Sequence, residues 1–328
     1  AVTGNCSPKD FETMMQLTYL TFTAPRRDDD AFASYKNRSK AELQNMDLNP
    51  SSSFSDSITS TLYSKHPRTL RMKADMVDKM NYDKILSMYQ DRFKDASDFT
   101  FILVGNVDVE AVKPLIESYL GSLPSINRKE TFKDNHIAMR KGICKNEFIR
   151  QQETPKVNNF ICYSGTCKYN LRNEILMSMT DQLLNFIYTE KVREDEGGTY
   201  GVYPMGQLIK YPTEKAVLQI FFNTAPDKQE KLIKIIYDEA EAFAKNGPDE
   251  ASLNKVKEYM LKKHSEDLKE NGYWLNSIDE YLYTGIDPVK DYEQIINSIT
   301  PKDVQQFANE LLKQKNQITV SMISPEKK

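Results

Sequence analysis

LRNEILMSMTDQLLNFIYTEKVREDEGGTYGVYP, residues 171–204, holds a helix, a turn and the opening of a strand in one stretch. Leu171, Ile175, Leu176, Met179, Leu183, Leu184 and Ile187 recur at the three-and-four spacing of one apolar helical face. The helix runs into Lys191-Val192-Arg193-Glu194-Asp195-Glu196, and its pattern stops at Gly197-Gly198. Thr199 to Tyr203 follow as a short β-prone run closed by Pro204. Arg193 in the last helical turn and Tyr200 at the mouth of the next strand can both face one spot beside the glycine turn. On residue types alone, Arg193 offsets the negative end of the helix dipole and Tyr200 packs.

Outward from this stretch, two strands precede it, Ile143 to Gln151 and Lys156 to Ser164, and a third follows from Ala216 to Asn223. Helices then start at Pro226-Asp227 and at Asn246 to Glu250. A shorter one runs from Tyr273 to Tyr283, another begins at Thr300-Pro301-Lys302-Asp303, and Gln317 to Ile323 forms a terminal strand. Proline at the first helical turn with an acid close behind marks these starts.

The first half repeats that order. Ser7-Pro8-Lys9-Asp10 starts one helix, and Asp28 to Asp30 open a longer one that ends at Asn49-Pro50. The serine-rich stretch Ser51 to Ser57 leads to a turn at His66-Pro67, and Asp83 to Phe93 reads as an amphipathic helix. Phe99 to Gly105 is almost continuously apolar and is expected as a strand buried on both faces. Tyr82 to Phe101 aligns without a gap on Pro301 to Val320 at an offset of 219. Pro8 matches Pro226 at 218, and Ser57-Ile58 matches Ser277-Ile278 at 220. The chain therefore carries two copies of one α+β domain. Residues 1–130 are expected as a truncated copy with the start of a linker, and 131–328 as a complete one. Only seven residues precede Pro8, whereas strands and a helix precede Pro226, so a longer chain cut inside the first copy is expected.

The 328 residues exceed the usual size of a single core, in keeping with two domains. Hydrophobic residues at 39% and charged residues at 28% fit a globular chain, and no run of eighteen apolar residues provides a transmembrane segment. A formal charge of −3, with acids and bases interspersed, gives no electrostatic basis for binding nucleic acid or an anionic membrane. Cys6, Cys144, Cys162 and Cys167 form no Cys-x-x-Cys pair; Cys162 and Cys167 could pair across a hairpin, but buried free thiols are expected. Gly-x-Ser-x-Gly and Gly-rich phosphate loops are absent. Asp195 and Glu196 read as a solvated pair, and Tyr273-Trp274 as core between Leu268 and Ile278.

The string of Arg193, acidic residues, a glycine turn and Tyr200 resembles the arginine-tyrosine motif of the insulinase, pitrilysin and mitochondrial processing peptidase family of zinc metallopeptidases. Phe99 to Gly105 with Asn106-Val107-Asp108, and Tyr119 to Pro124 at the end of the next helix, also fit that family. Phe22 to Arg26 and Glu153 to Lys156 look most like its long bacterial branch, in which both halves form one polypeptide. The resemblance implies a processing-peptidase-like fold, mostly antiparallel sheets with helices packed on one face. The chain would be the C-terminal half, with a third domain followed by a fourth that carries the motif. It also implies that Arg193 and Tyr200 bind the substrate carbonyl oxygen across a chamber, facing an N-terminal half that holds zinc and encloses peptide. A bacterial envelope or periplasmic location follows from the same branch.

The family's zinc motif, His-x-x-Glu-His, is not here. His66, His136 and His264 are far apart, with His66 in a turn, His136 in the linker and His264 on an exposed helical face. No metal or other cofactor is expected in this chain, and alone it is expected to be inactive. Two readings stand beside each other: the non-zinc half of a metalloendopeptidase, and a non-catalytic scaffold or peptide-binding subunit of the same fold, like the core proteins of respiratory complexes.

Overall fold

The computed structural model describes residues 1–325. Six helices come first: α1 (Phe11–Thr23), α2 (Asp29–Leu48), α3 (Pro50–Leu62), α4 (Ala74–Val77), α5 (Tyr82–Phe93) and α6 (Val109–Tyr119). Strands β1 (Ile143–Ile149) and β2 (Lys156–Thr166) lead to α7 (Leu171–Tyr188), then β3 (Val202–Ile209) and β4 (Lys215–Thr224). Helices α8 (Gln229–Asn246), α9 (Glu250–Asp267), α10 (Asn271–Thr284), α11 (Tyr292–Ser298) and α12 (Pro301–Leu312) precede the last strand, β5 (Gln317–Ser324). These elements form two compact units, one of residues 1–46 and 72–133, the other of 47–71 and 134–328.

The second unit is built on a five-stranded sheet in the order β1-β5-β2-β4-β3, antiparallel except for the parallel β1-β5 pair. Its inner strands are buried on both faces, which is why they read as apolar runs rather than alternations. On one face Ile161, Leu218 and Ile220 meet Met179, Leu183, Ile236 and Val304 from α7, α8 and α12. The opposite face is covered by α3, whose Ile58 and Leu62 pack on Phe160, Cys162, Val217 and Ile318. Asn146 of β1 ties the same helix down through hydrogen bonds to Ser57 Oγ (3.0 Å) and Thr61 Oγ1 (2.8 Å).

The serine-rich stretch thus hides a helix. Asn49 ends α2 and also caps α3, its side chain accepting from the Ser51 N–H at 2.8 Å, with Pro50 at the first turn. Serine has modest helix propensity, so burial of Ile58 and Leu62 supplies what local preference does not.

The first unit is helical. Phe99–Val104, expected as a strand buried on both faces, forms no ladder and is partly buried to exposed. A strand needs a partner for its N–H and C=O groups, and the described residues of this unit provide none. Phe99 instead joins an aromatic cluster, its ring 4.8 Å from Phe22 and 5.4 Å from Phe93. Asp95, fully buried, accepts hydrogen bonds from Ser97 Oγ and from the Ser97, Ile126 and Arg128 amides, and so fixes the return of the chain after α6.

Three further expectations change. His264 is buried rather than exposed, because α10 and α11 fold back over α9: its ring stacks on Tyr292 at 4.4 Å, and its Nδ1 lies 3.2 Å from the Tyr273 hydroxyl. Trp274 is exposed at 38% rather than core, while Tyr273 beside it is half-buried. Pro204 lies inside β3 instead of closing the run, as an edge strand allows when the missing N–H would point away from the ladder.

Candidate functional site

Helix α7 is the most enclosed helix of the molecule, with Ile175, Met177, Met179, Leu183, Leu184 and Tyr188 all at 2% exposure or less. Asn170 caps its start, accepting from the Asn173 N–H at 2.9 Å. At its end the helix widens into a π-turn over Thr189–Glu194, where the Asp195 N–H reaches back five residues to the Glu190 carbonyl at 3.0 Å. Such widened turns recur at functional sites. The widening keeps Val192 fully buried while turning Arg193 and Glu194 to solvent.

Beyond the turn the backbone is held in place residue by residue. Gly197 adopts φ +59°, a left-handed conformation that suits glycine, and its N–H donates to the Arg193 carbonyl at 3.1 Å. A Cβ on Gly198 would stand 2.9 Å from both Leu232 Cδ1 and Lys228 Cδ, so the chain presses directly on α8 there. Lys228 and Lys231 hold Glu196 through its carbonyl (3.0 Å) and carboxylate (2.5 Å). Thr199 Oγ1 accepts from the Gly201 N–H and donates to the Gly201 carbonyl, at 3.2 and 3.0 Å, and Val202 then enters the core.

Within this pinned connection Arg193 and Tyr200 both stand free. Tyr200 is 95% exposed, Arg193 is exposed, and among the described residues neither side chain has a hydrogen-bond or ionic partner. Both lie on one connection between α7 and β3. Arg193 caps none of the terminal carbonyls of α7 with a side-chain hydrogen bond. Asp195 and Glu196, by contrast, pair with Lys191 and Lys231.

The acid-base chemistry elsewhere in this unit was not legible in the sequence. Tyr169 donates to Glu280 Oε1 at 2.9 Å, and burial, with the Glu280 carboxylate nearby, pushes Glu174 up to about 7. Glu280 lies more than a hundred positions from Tyr169 and Glu174, so no spacing announces the group. Glu174 and Glu280 border a cavity of about 530 Å³ walled by Tyr259, His264, Tyr273 and Tyr292. Neither Arg193 nor Tyr200 lines it. Burial also raises the Cys162 thiol to about 12, and all four cysteines are unpaired.

His66, His136 and His264 lie in separate surroundings, and among the described residues no group of three or more His, Cys, Asp or Glu side chains could hold a metal ion. Among the described residues, no helix is long and apolar enough to cross a membrane.

The second unit is thus an α+β fold on a five-stranded sheet with an exposed arginine and tyrosine beside a glycine turn. Residues 79–260 match the Peptidase M16 inactive domain, and the chain belongs to that family. It is similar to the probable zinc protease PqqL of Escherichia coli, 21% identical over 311 residues that make up 92% of this chain and 32% of that protein. A zinc protease PQQL-like protein of Arabidopsis thaliana is 24% identical over 294 residues, 82% of this chain and 30% of the relative. The chain thus spans about a third of the length of the curated relatives it matches. The crystal structure of the periplasmic protease PqqL from E. coli superposes with a TM-score of 0.83 at 18% identity, covering 97% of this chain and 35% of that one. The peptidase M16 inactive domain from Pseudomonas fluorescens gives 0.74 at 18% identity, covering 98% and 76%. The chain is an inactive, C-terminal-type domain of zinc-protease-like proteins.

Proposed function

We propose that this chain is the non-zinc half of a metalloendopeptidase that encloses peptides, and that Arg193 and Tyr200 donate hydrogen bonds to the carbonyl oxygen of the bond being cut. The observation that carries the reading is the pairing of a rigid frame with two donors that the frame leaves unused. Val192 and Val202 are buried, Asp195 and Glu196 pair with lysines, Thr199 bonds Gly201 and Gly198 presses against α8, whereas a guanidinium and a phenol project without partners. Donors held in place before reaction cost no reorganisation when charge develops on the carbonyl oxygen, so they favour the transition state over bound peptide. Zinc belongs to the N-terminal half that pairs with this chain. The name of the similar E. coli structure, a periplasmic protease, supports a location in the bacterial envelope.

The test uses the polypeptide that carries both halves. Arg193→Ala and Tyr200→Phe are each expected to lower kcat by a factor of roughly 10² to 10³ on a fluorogenic peptide. Zinc content should not change, and melting temperatures should move little, since neither substitution removes buried apolar surface. If Arg193 serves only the helix dipole, its loss costs about 0.3 to 1 kcal/mol of stability and leaves turnover normal. Normal turnover in both variants would leave the non-catalytic scaffold as the reading of this fold.

A further inference from the structure

The connection that carries Arg193 and Tyr200 leaves α7 and returns as β3, so its geometry depends on what holds β3 to α7. The contact is close. A Cβ on Gly206 would lie 2.4 Å from Met177 Sδ, 2.6 Å from its Cγ and 3.3 Å from its backbone oxygen, which leaves no room for a side chain between strand and helix. One turn farther along the helix, the Asp181 carboxylate accepts the Gly206 N–H at 3.0 Å.

This hydrogen bond occupies the outer edge of the sheet. Strand β3 pairs with β4 alone, and on an edge strand alternate N–H groups point away from the ladder. Pro204, two residues before Gly206 and on the same side, has no N–H, and the Gly206 N–H is taken by Asp181. The edge is therefore blunted against other strands and fastened to α7 by a side chain at the same time.

The fastening is carried by an acceptor without a cation. Burial pushes the Asp181 carboxyl up to about 6, while the Gly206 and Gln182 amides draw it down, and no charged neighbour contributes. A carboxyl kept in an unfavourable setting, with a backbone N–H as its tertiary partner, is spent on geometry.

We infer that Asp181 is a positioning residue: by accepting the Gly206 amide it locks β3 onto α7 and so sets where Tyr200 stands relative to Arg193. The inference rests on the reading of those two side chains as carbonyl donors. Tyr200 lies six residues before Gly206 and only two before the first residue of β3. Slack in the strand is therefore passed to the phenol with little to absorb it. Misplacing a catalytic donor by about 1 Å can cost as much as 10²-fold in rate.

The test again uses the polypeptide with both halves. Asp181→Ala is expected to lower kcat about tenfold or more with KM nearly unchanged, and Asp181→Asn, which keeps an acceptor oxygen, should restore most of it. In an Arg193→Ala background, Asp181→Ala should add almost nothing, because the pair it aligns is already broken. Amide exchange over residues 202–209, measured in the same protein, should quicken in Asp181→Ala and not in Asp181→Asn. A loss of equal size in Asp181→Ala and Asp181→Asn, or one that multiplies in full on Arg193→Ala, overturns the positioning role. So does normal turnover in Asp181→Ala beside impaired Arg193→Ala. If Arg193→Ala and Tyr200→Phe are themselves normal, the site reading fails first, and the exchange result alone then decides whether Asp181 fastens β3.

Discussion

Helices α5 and α12 share length, capping position and a sequence offset of 219. Tyr82–Phe93 and Pro301–Leu312 differ by 219 at both ends, and each is capped by the residue before it, Asn81 or Thr300, whose side chain accepts the N–H three positions on. Their surroundings are not the same. Val304 and Phe307 of α12 are 0% and 9% exposed, whereas the matching Ile85 and Met88 of α5 are 43% and 64% exposed. After α12 the chain enters β5 and pairs on both sides; after α5 the matching residues 99–104 find no ladder. A second pair repeats the contrast. Ile58 and Leu62 of α3 are buried on the sheet at 9% and 5%, and their counterparts 220 positions on, Ile278 and Leu282 of α10, are 37% and 54% exposed. Local sequence sets where a helix begins and ends, and partners decide what its apolar face is worth.

The leucine pair tests that statement with one residue type. Leu62→Ala removes a side chain packed against Phe160, Cys162 and Ile318 and should cost about 2 to 5 kcal/mol. Leu282→Ala removes one already half in water and should cost less than about 1 kcal/mol. Urea unfolding followed by the single tryptophan, Trp274, reads both, since both variants and the probe lie in the second unit. Equal losses would show that exposure in this fold does not measure energetic weight.

Individual carboxyls in the two units should also respond to pH in opposite senses. In the second, Glu174 is raised to about 7 and Asp181 to about 6, each first by burial. A carboxyl with a raised folded pKa binds its proton more tightly folded than unfolded. Its contribution is present at low pH and is lost as pH rises from about 4 toward 7. In the first unit, burial would push Asp95 up, but hydrogen bonds from Ser97, Ile126 and Arg128 hold it well below the usual carboxylate range. That contribution is present near neutrality and is lost as pH falls below about 4. Glu174→Gln should therefore flatten the fall in stability between pH 5 and 7.5, and Asp95→Asn should flatten the fall on acidification. A Glu174→Gln variant whose melting temperature keeps the wild-type slope over that range would show that Glu174 does not carry it.

The same contrast explains what could be read in advance. Most helix bounds outside α3, and most strands, were legible because capping residues, proline at the first turn and apolar periodicity are local signals. Arg193 and Tyr200 could be proposed together because they lie on one short string. Asp181 with Gly206, and Tyr169 with Glu280, were not, since each joins residues 25 or 111 positions apart and no periodicity marks a tertiary hydrogen bond. His264 misled because its own helix surrounds it with Lys262, Lys263 and Glu266, while Tyr273 and Tyr292, which cover it, arrive from other elements. The strand at residues 99–104 misled in the opposite way: its apolar run suits a ladder, and burial there comes from Phe22 and Phe93 instead.

The smallest expected effect sharpens the comparison most, because it asks whether local encoding has equal weight in both copies. Asn81 Oδ1 accepts the Lys84 N–H at 2.9 Å. Thr300 Oγ1 accepts the Asp303 N–H at 3.3 Å, and Asp303 returns the bond by accepting the Thr300 N–H at 2.8 Å, a reciprocal box. A cap satisfies an orphan N–H of the first turn and needs no tertiary partner, so exposure of the rest of the helix should not weaken it. Asn81→Ala and Thr300→Ala should each cost about 1 kcal/mol, and Asn81→Gly only a few tenths, since glycine leaves the amide open to water. Circular dichroism at 222 nm follows helix loss in either unit, and Trp274 fluorescence isolates the second. A cost at Thr300 with none at Asn81 would mean that α5 is held by something other than its own sequence, and that the two copies differ locally as well as in their partners.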